Sequence, residues 1–549
     1  MKGKRLMKRI IATQLAAAMA LTLSPVIGSE KKVKAESAPY NLEAFNLDEV
    51  TITDDYYLSA QESDINFLCQ FDADRLLSRF RETAGLDTQG KKPYKGWEDS
   101  FLGGHCVGHY LTAAAQAVKA TNDPTLSGIL DYMIDELKKC QDELGTGFIF
   151  GAKIQDKNNV EKQFNIVEGK DSGDTWVPWY NMHKVLTGLI DVYRYTGNDT
   201  ALDIAKNLGT WIYNRVSTWN TSTQNRILGT EYGGMNDCLY ELYRITDDTR
   251  YRDAAHKFDD PNLYKIITSG KENTLSGRHA NATIPKFLGA LNRYRVLSEK
   301  NELTSEDEQY LYYVEDFWTL MIEKHAYATG GVSDMEHFRN DNALDETRTQ
   351  CNCESCCVHN ILRITRELFK LTGDVKYADY YETTLRNAIM GSIDTYNGTT
   401  SYFTPMATGY FKFFGEADPA NNMYWCCTGT GMENFTKLGD SIYFHNDNSI
   451  VVNQYVASVL NWKEKGFTLT QSSDVTKSDT ATFTVSTSAS QSLDIYLRIP
   501  EWISGPAYIA VNDETIADAD IDNGYVKLSR AWANGDKITI RYPMTVQAI

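Results

Sequence analysis

Four short stretches of one kind constrain the fold of this chain more than any other feature. Ala120-Thr121-Asn122-Asp123, Tyr195-Thr196-Gly197-Asn198-Asp199, Ile245-Thr246-Asp247-Asp248 and Leu371-Thr372-Gly373-Asp374 each stop one helical pattern and start another. From about residue 60 to residue 445, apolar positions recur at helical spacing, as in Tyr110, Leu111, Ala114, Ala117 and Val118, and in Leu362, Thr365, Leu368 and Phe369. Helix followed at once by helix is a hairpin, and hairpins bury their apolar faces against their neighbours. A closed ring of about six hairpins would be an (α/α) toroid with its site at one mouth; the pattern alone also admits an open superhelix.

After Phe444 the period shortens to two. Ala481-Thr482-Phe483-Thr484-Val485, Leu493 to Ile499, and Ile538-Thr539-Ile540-Arg541-Tyr542 alternate as strands do. The expected architecture is mainly α, with a helical barrel over residues 36–445 followed by an all-β sandwich over 446–549. The chain stops at Ile549 directly after a strand-like run, so the sandwich is expected to be incomplete at that end.

The amino terminus carries Lys2, Lys4, Arg5, Lys8 and Arg9 ahead of an apolar run from Ile10 to Leu23, with a small-residue exit at Val33-Lys34-Ala35. Residues 1–35 read as a signal peptide cleaved before Glu36, and the expected location is extracellular or cell-surface associated. No later stretch is apolar enough to cross a bilayer, so no integral membrane segment is expected in the mature chain. The whole chain has 55 basic and 73 acidic residues; residues 1–35 hold eight and one of these, leaving a net charge near −25. Such a surface repels phosphate backbones, which argues against nucleic acid as a partner and suits a neutral substrate.

Ten cysteines are present, and six lie between positions 351 and 427. Cys351, Cys353, Cys356 and Cys357 cluster in one stretch, and Cys426-Cys427 form an adjacent pair after Trp425. In an exported protein the plain alternative is disulfide pairing. Adjacent residues hold their Cα atoms only about 3.8 Å apart, below the usual disulfide range, so that pair is badly placed to bridge itself. Thiolates converging with a carboxylate make a four-coordinate zinc site. Cys69, Cys106, Cys140 and Cys238 read as buried or paired.

Glu354-Ser355-Cys356, followed by Trp425-Cys426-Cys427-Thr428-Gly429-Thr430-Gly431-Met432-Glu433-Asn434, resembles the β-L-arabinofuranosidases of glycoside hydrolase families 127 and 146, closer to the latter. Further stretches share the resemblance: Gly104 to Leu111, Trp176 to Lys184, Glu231 to Asn236, Gly277 to Asn281, and Gly330 to Phe338. It implies an (α/α)6 barrel followed by β-sandwich elements, zinc as cofactor, and a carbohydrate substrate. By the same resemblance the zinc ligands are Glu354, Cys356, Cys426 and Cys427, the nucleophile is Cys426, and the general acid/base is Glu336. Cys353 and Cys357 match no family position, so a ligand swap stays open. Members of the family usually run on past a strand like the last one here.

That chemistry is coherent on its own terms. A free thiol titrates near 8.5, and zinc would hold it as the thiolate. A retaining glycosidase needs the nucleophile on one face of the sugar and an acid beside the departing oxygen, about 5–5.5 Å apart in carboxylate pairs. Burial and the nearby anionic cluster are expected to raise the Glu336 pKa, keeping it protonated. His183 and His279 resemble sugar-binding positions, against the plain role of core histidines. His105 and His109 share a helix face and read as site wall or packing. Tyr402 is equally suited to touching the sugar and to filling a strand, while Glu98 and Asp237 have no assignable role. Two other readings share these features: a related glycosidase for a different uncommon sugar, and a non-catalytic, zinc-containing carbohydrate-binding protein.

Overall fold

The computed structural model describes residues 40–414, 423–474, 476–519 and 524–546; the leader expected over residues 1–35 lies outside them. Among the described residues, twelve of the helices build the barrel: α1 (Asp55–Leu68), α2 (His105–Thr121), α3 (Pro124–Leu144), α4 (Pro178–Thr196), α5 (Asp199–Val216), α6 (Met235–Thr246), α7 (Thr249–His256), α8 (Ala280–Glu299), α9 (Glu308–His325), α10 (Ser355–Thr372), α11 (Val375–Thr384) and α12 (Cys426–Thr436).

The four turn sequences work by one local mechanism. Asn122, Gly197, Asp247 and Gly373 end α2, α4, α6 and α10 in the left-handed conformation, which those residue types tolerate best. The next residue, Asp123, Asn198, Asp248 or Asp374, caps the following helix by accepting backbone N–H bonds on its side chain. In each case the preceding threonine returns its hydroxyl to the carbonyl four residues back, as Thr121 does to Ala117 at 2.8 Å and Thr372 to Leu368 at 2.7 Å. One helix is stopped and the next started within two residues.

The helices α2, α4, α6, α8, α10 and α12 pack each on the next, and α12 packs back on α2, closing a ring. Outside it, α3, α5, α7, α9 and α11 each cover the inner helix that precedes them, and α12 is covered by α1 from the other end of the chain. The expected (α/α)6 barrel is therefore present, and closure excludes the open superhelix. Among the described residues no helix is long and apolar enough to cross a membrane.

The β region is a sandwich of two sheets. Strands β1 (Glu43–Ala44), β3 (Tyr443–Asn446), β4 (Ser449–Val452), β8 (Gln491–Ile499) and β11 (Gly524–Trp532) lie side by side in that order. The second sheet has β10 (Glu514–Ala519), β9 (Ala507–Val511), β12 (Lys537–Arg541), β7 (Thr480–Thr487), β6 (Phe467–Asp474), β5 (Val456–Trp462) and β2 (Val50–Ile52), again in spatial order. Each sheet thus ends on a strand from before the first barrel helix: Ala44 pairs with Phe444 and Thr51 with Val459.

Sandwich and barrel share one apolar core, in which Ile450, Leu469, Phe483, Ile495 and Ile538 join Val358 and Leu362 of α10 and Phe435 of α12. A buried charge cluster reinforces the junction. Arg498 on β8 is fully buried, ion-paired with Asp379 and, at 2.6 Å, with Glu382 of α11, and donates to the Asn453 carbonyl at 2.6 Å. Removing the cation alone leaves buried Asp379 without its ion pair, while Glu382 keeps only Arg386 at 3.6 Å and the Trp502 N–H at 2.9 Å. Arg498→Ala is therefore expected to cost about 3–5 kcal/mol, read as a lowered midpoint of denaturant unfolding followed by circular dichroism. An unchanged midpoint would show that the junction does not depend on this cluster.

Candidate functional site

Each inner helix begins in or beside one of the motifs quoted above: His105 opens α2, Pro178 α4, Met235 α6, Ala280 α8, Ser355 α10 and Cys426 α12. Their first turns meet at one mouth. His105 lies against Tyr180, with ring centroids 6.1 Å apart, Tyr180 against Tyr232 at 5.5 Å, and Tyr232 against His279 at 5.0 Å. His279 Nε2 is 3.4 Å from a Glu336 oxygen, and the Tyr402 hydroxyl donates to the other at 2.5 Å. Tyr402 also lies 3.4 Å from Cys426 Sγ, and Tyr424 returns to His105 with centroids 5.9 Å apart.

Glu354 is the N-cap residue of α10 and Cys356 its second residue, while Cys426 and Cys427 are the first two residues of α12. One donor atom from each of the four falls within 4.8 Å of all the others, and all four residues are buried. Cys356 and Cys427 sulfurs are 3.1 Å apart, and Cys427 Sγ is 3.7 Å from Glu354 Oε1. Two helix N-termini direct their partial positive charge at this space, which favours anions there. Hydrogen bonds from Cys356 and Cys427 hold the Cys426 thiol well below its ordinary range. Burial instead pushes Cys356, Cys427 and the Glu354 carboxyl up. Four acidic groups this close cannot all ionise against one another, and a metal cation is what would let them. Three sulfurs and one carboxylate, buried and convergent, fit a metal ion in both number and chemistry.

No disulfide joins any two of the ten cysteines, so the disulfide alternative is not realised. Cys357 donates to Glu354 Oε2 at 3.3 Å, orienting that carboxylate from behind. Cys353 stands apart, packed against Gly331, its thiol pushed up to about 12 by burial.

Glu336 sits on a strained loop. Ser333, Met335 and Glu336 have φ of 83°, 47° and 65°, a region that costs non-glycine residues of the order of 1–3 kcal/mol each. Backbone bonds hold it: Met335 N to Cys351 O at 2.9 Å, Asp334 N to His337 O at 2.9 Å, and Ala280 N to Glu336 O at 2.8 Å. The expected upward pKa shift is not what the site produces. The hydrogen bond from His279 outweighs burial, Tyr402 adds to it, and the carboxyl is held below its usual range although the Cys426 charge opposes this. Burial keeps the Tyr402 phenol protonated, so it stays a donor.

The structure thus brings Glu354, Cys356, Cys426, Cys427, Tyr402, Glu336 and His279 together. Among the described residues His183 makes no hydrogen bond or ion pair with that group. It is buried in α4 beneath Gly234, where an added Cβ would stand 2.4 Å from its ring, and burial keeps it neutral. A cavity of about 870 Å³ lies deeper in the ring, lined by His109, His183, Arg194, Glu241, Arg363 and Glu433 among others, and by none of the four convergent donors.

Glu98, left without a role by the sequence, and Glu433, quoted there only within a motif, brace the inner helices. Glu98 accepts from Gly104 N at 2.9 Å, from Cys106 N at 3.2 Å and from His105, so it closes the N-terminus of α2. Although burial raises its pKa, the His105 ring and these donors outweigh that and hold it low. Glu433 accepts from His109 Nδ1 at 2.5 Å and lies 3.4 Å from His359 Nε2, tying α12 to α2 and α10. Asp237 pairs with Arg363 at 2.9 Å, an internal role. Glu433 was visible only as part of a motif; its partners lie more than 70 residues away in the chain.

Two family models match. One is described as β-L-arabinofuranosidase, GH127 catalytic domain, over residues 49–440, and the other as the GH127 middle domain, over 449–544. Among solved structures, a GH127 β-L-arabinofuranosidase from Geobacillus stearothermophilus T6 has 18% identity and a TM-score of 0.70, covering 91% of this chain and 82% of its own. Another, a GH127 β-arabinofuranosidase, has 18% identity and a TM-score of 0.72, covering 92% and 81%. These likenesses carry the fold. No curated protein matches the chain.

The spacing of the cluster depends on one close approach. A Cβ on Gly429 would stand 2.4 Å from the His109 ring, so α12 can lie against α2 only through a hydrogen. Gly429→Ala is expected to push α12 outward, lowering both the metal bound per chain, read by elemental mass spectrometry, and the melting temperature. Full metal content with an unshifted melt would refute this account.

Proposed function

We propose, since this chain belongs to the GH127 β-L-arabinofuranosidase family, that it releases β-L-arabinofuranose from plant-derived, arabinose-containing glycans with retention of configuration, using Cys426 as nucleophile and Glu336 as acid/base. The chain is a glycoside hydrolase, and its substrate is a carbohydrate. One observation carries the mechanistic reading. Tyr402 hydroxyl touches both Glu336 Oε1, at 2.5 Å, and Cys426 Sγ, at 3.4 Å, so these two atoms are at most about 6 Å apart. That is close to the retaining separation of about 5–5.5 Å and short of the roughly 6.5–9.5 Å that leaves room for a water in inverting enzymes.

Zinc, held by Glu354, Cys356, Cys426 and Cys427, would supply a stable thiolate at neutral pH. Cys426 Sγ attacks the anomeric carbon and the glycosidic C–O bond breaks, while Glu336 passes its proton to the departing oxygen. Glu336 then takes a proton from water, whose oxygen attacks the same carbon and breaks the C–S bond. Two displacements restore the original configuration. His279 and Tyr402 orient the Glu336 carboxylate, and with His183 are proposed to bind sugar hydroxyls. The basic leader and apolar run support export of the enzyme, tested by whether the secreted protein begins at Glu36.

Turnover of p-nitrophenyl β-L-arabinofuranoside, with the anomer of the first product read by proton NMR, tests the reading. Activity on other aryl glycosides alone would move it to another sugar, and none on any would favour a binding protein.

Glu336→Gln is expected to slow hydrolysis strongly, and more for sugar leaving groups than for activated phenols, which depart with little protonation. Equal losses would remove Glu336 from the acid role. Because the free carboxyl is held below its ordinary value, the proton needed for cleavage is lost from free enzyme as pH rises through that lowered pKa. A bound sugar excludes water from the carboxyl and raises it. The alkaline limb of kcat should therefore lie at higher pH than that of kcat/KM, and coincident limbs would contradict the assignment.

The cysteine pair separates by substitution. Cys426→Ser is expected to abolish turnover while some zinc remains, since serine is a far weaker nucleophile. Cys427→Ser keeps the nucleophile and weakens the metal, so residual activity should rise with added zinc. An active Cys426→Ser enzyme would shift the nucleophile elsewhere in the cluster.

A further inference from the structure

A row of indoles leads away from the cysteines, against which Tyr402 also packs. Trp425 directly precedes Cys426, and Trp97 packs on the cluster of Cys356, Cys426 and Cys427. Trp97 and Trp425 have ring centroids 5.3 Å apart at 82°. Trp176 extends the row, its centroid 5.4 Å from that of Trp97 at 72°, and it is 37% exposed. Its backbone is anchored, because Val177 is buried with Leu102 and Tyr180 and Pro178 begins α4.

A single exposed apolar side chain is ordinary. Three indoles in contact from the nucleophile outward, the last fixed at a helix start, exceed what packing requires. Met335, the residue before Glu336, is 55% exposed, at a φ of 47°. A large apolar side chain in water on a left-handed backbone is rewarded neither by burial nor by local conformation, yet it adjoins the acid.

We propose that Trp176 and Met335 form the subsite for the sugar on the leaving-group side of the cleaved bond, and that this sugar is neutral. The inference rests on the arabinofuranosidase reading above. The departing oxygen must lie at Glu336, so the sugar carrying it begins beside Met335 and extends outward toward solvent. Its C–H faces are apolar and its hydroxyls polar, the match for an indole that is itself apolar in body and half in water. Asp171 and Asp174, both exposed, precede Trp176 by five and two residues and would repel a uronate carboxylate.

The test uses the full-length zinc-loaded enzyme and three β-L-arabinofuranosides: the methyl glycoside, whose leaving group has nothing to stack, a disaccharide ending in a neutral hexose, and one ending in a hexuronic acid. Wild type should prefer the neutral disaccharide to the uronate. Trp176→Ala should lower the kcat/KM ratio of neutral disaccharide to methyl glycoside about two- to tenfold. Trp176→Tyr should recover most of that ratio, and Met335→Ala should lower it as well. Both positions are exposed, so folding is not at stake. A wild type that cleaves the methyl glycoside, with ratios unmoved by Trp176→Ala, overturns the subsite alone. Preference for the uronate overturns its neutral character. A wild type that cleaves none of the three overturns the arabinofuranosidase reading, and the subsite with it.

Discussion

The direction of the inner helices is the constraint on which the rest depends. Each outer helix returns the chain, so every inner helix sets out from the same side of the ring, and six N-termini gather at one mouth. Unsatisfied N–H groups and aligned peptide dipoles make that mouth electropositive in a chain that is otherwise strongly acidic. Glu98 at the start of α2, Glu354 at α10 and the Cys426 sulfur at α12 all draw on that field. Buried anions that would be costly elsewhere are supported there.

Closure of the ring carries the same weight. The last inner helix holds two of the four convergent donors, and it is fixed from three directions: by α1 from the other end of the chain, by α2 through Gly429, and by Glu433 bonded to His109 and near His359. The sandwich adds a fourth restraint, since Phe435 lies in the core it shares with the barrel. The β region therefore acts on the site indirectly, by holding the end of α12 in place.

The acid loop shows how strain and chemistry are joined. Three residues in the left-handed region present Glu336 to Tyr402 and His279, and the loop survives because the 349–353 segment and the start of α8 bind its backbone. The lumen behind it is lined by charged side chains, and Arg295 of α8 pairs there with Glu241 of α6.

Local chemistry could be read from the sequence wherever it is written within a few residues. A left-handed stop followed at once by a capping side chain needs only two adjacent positions, which is why four of the hairpin turns were legible, whereas the count of six came with the family resemblance. So was the convergence of Cys356, Cys426 and Cys427 with Glu354, once the motifs were compared with a known family, and so was the change of period at the sandwich. Tertiary structure alone decided the rest. That β1 and β2 complete the two sheets depends on pairing across some 400 residues, which two- and three-residue strands cannot signal. The roles of Glu98 and Glu433 depend on partners from other helices. The pKa of Glu336 turned on the balance of burial against two hydrogen bonds, and the sequence supplied the burial and the anions but not the distance of His279 or the hydroxyl of Tyr402. Periodicity and capping are properties of neighbours in the chain; electrostatic balance is a property of neighbours in space, and only the closed ring fixes those.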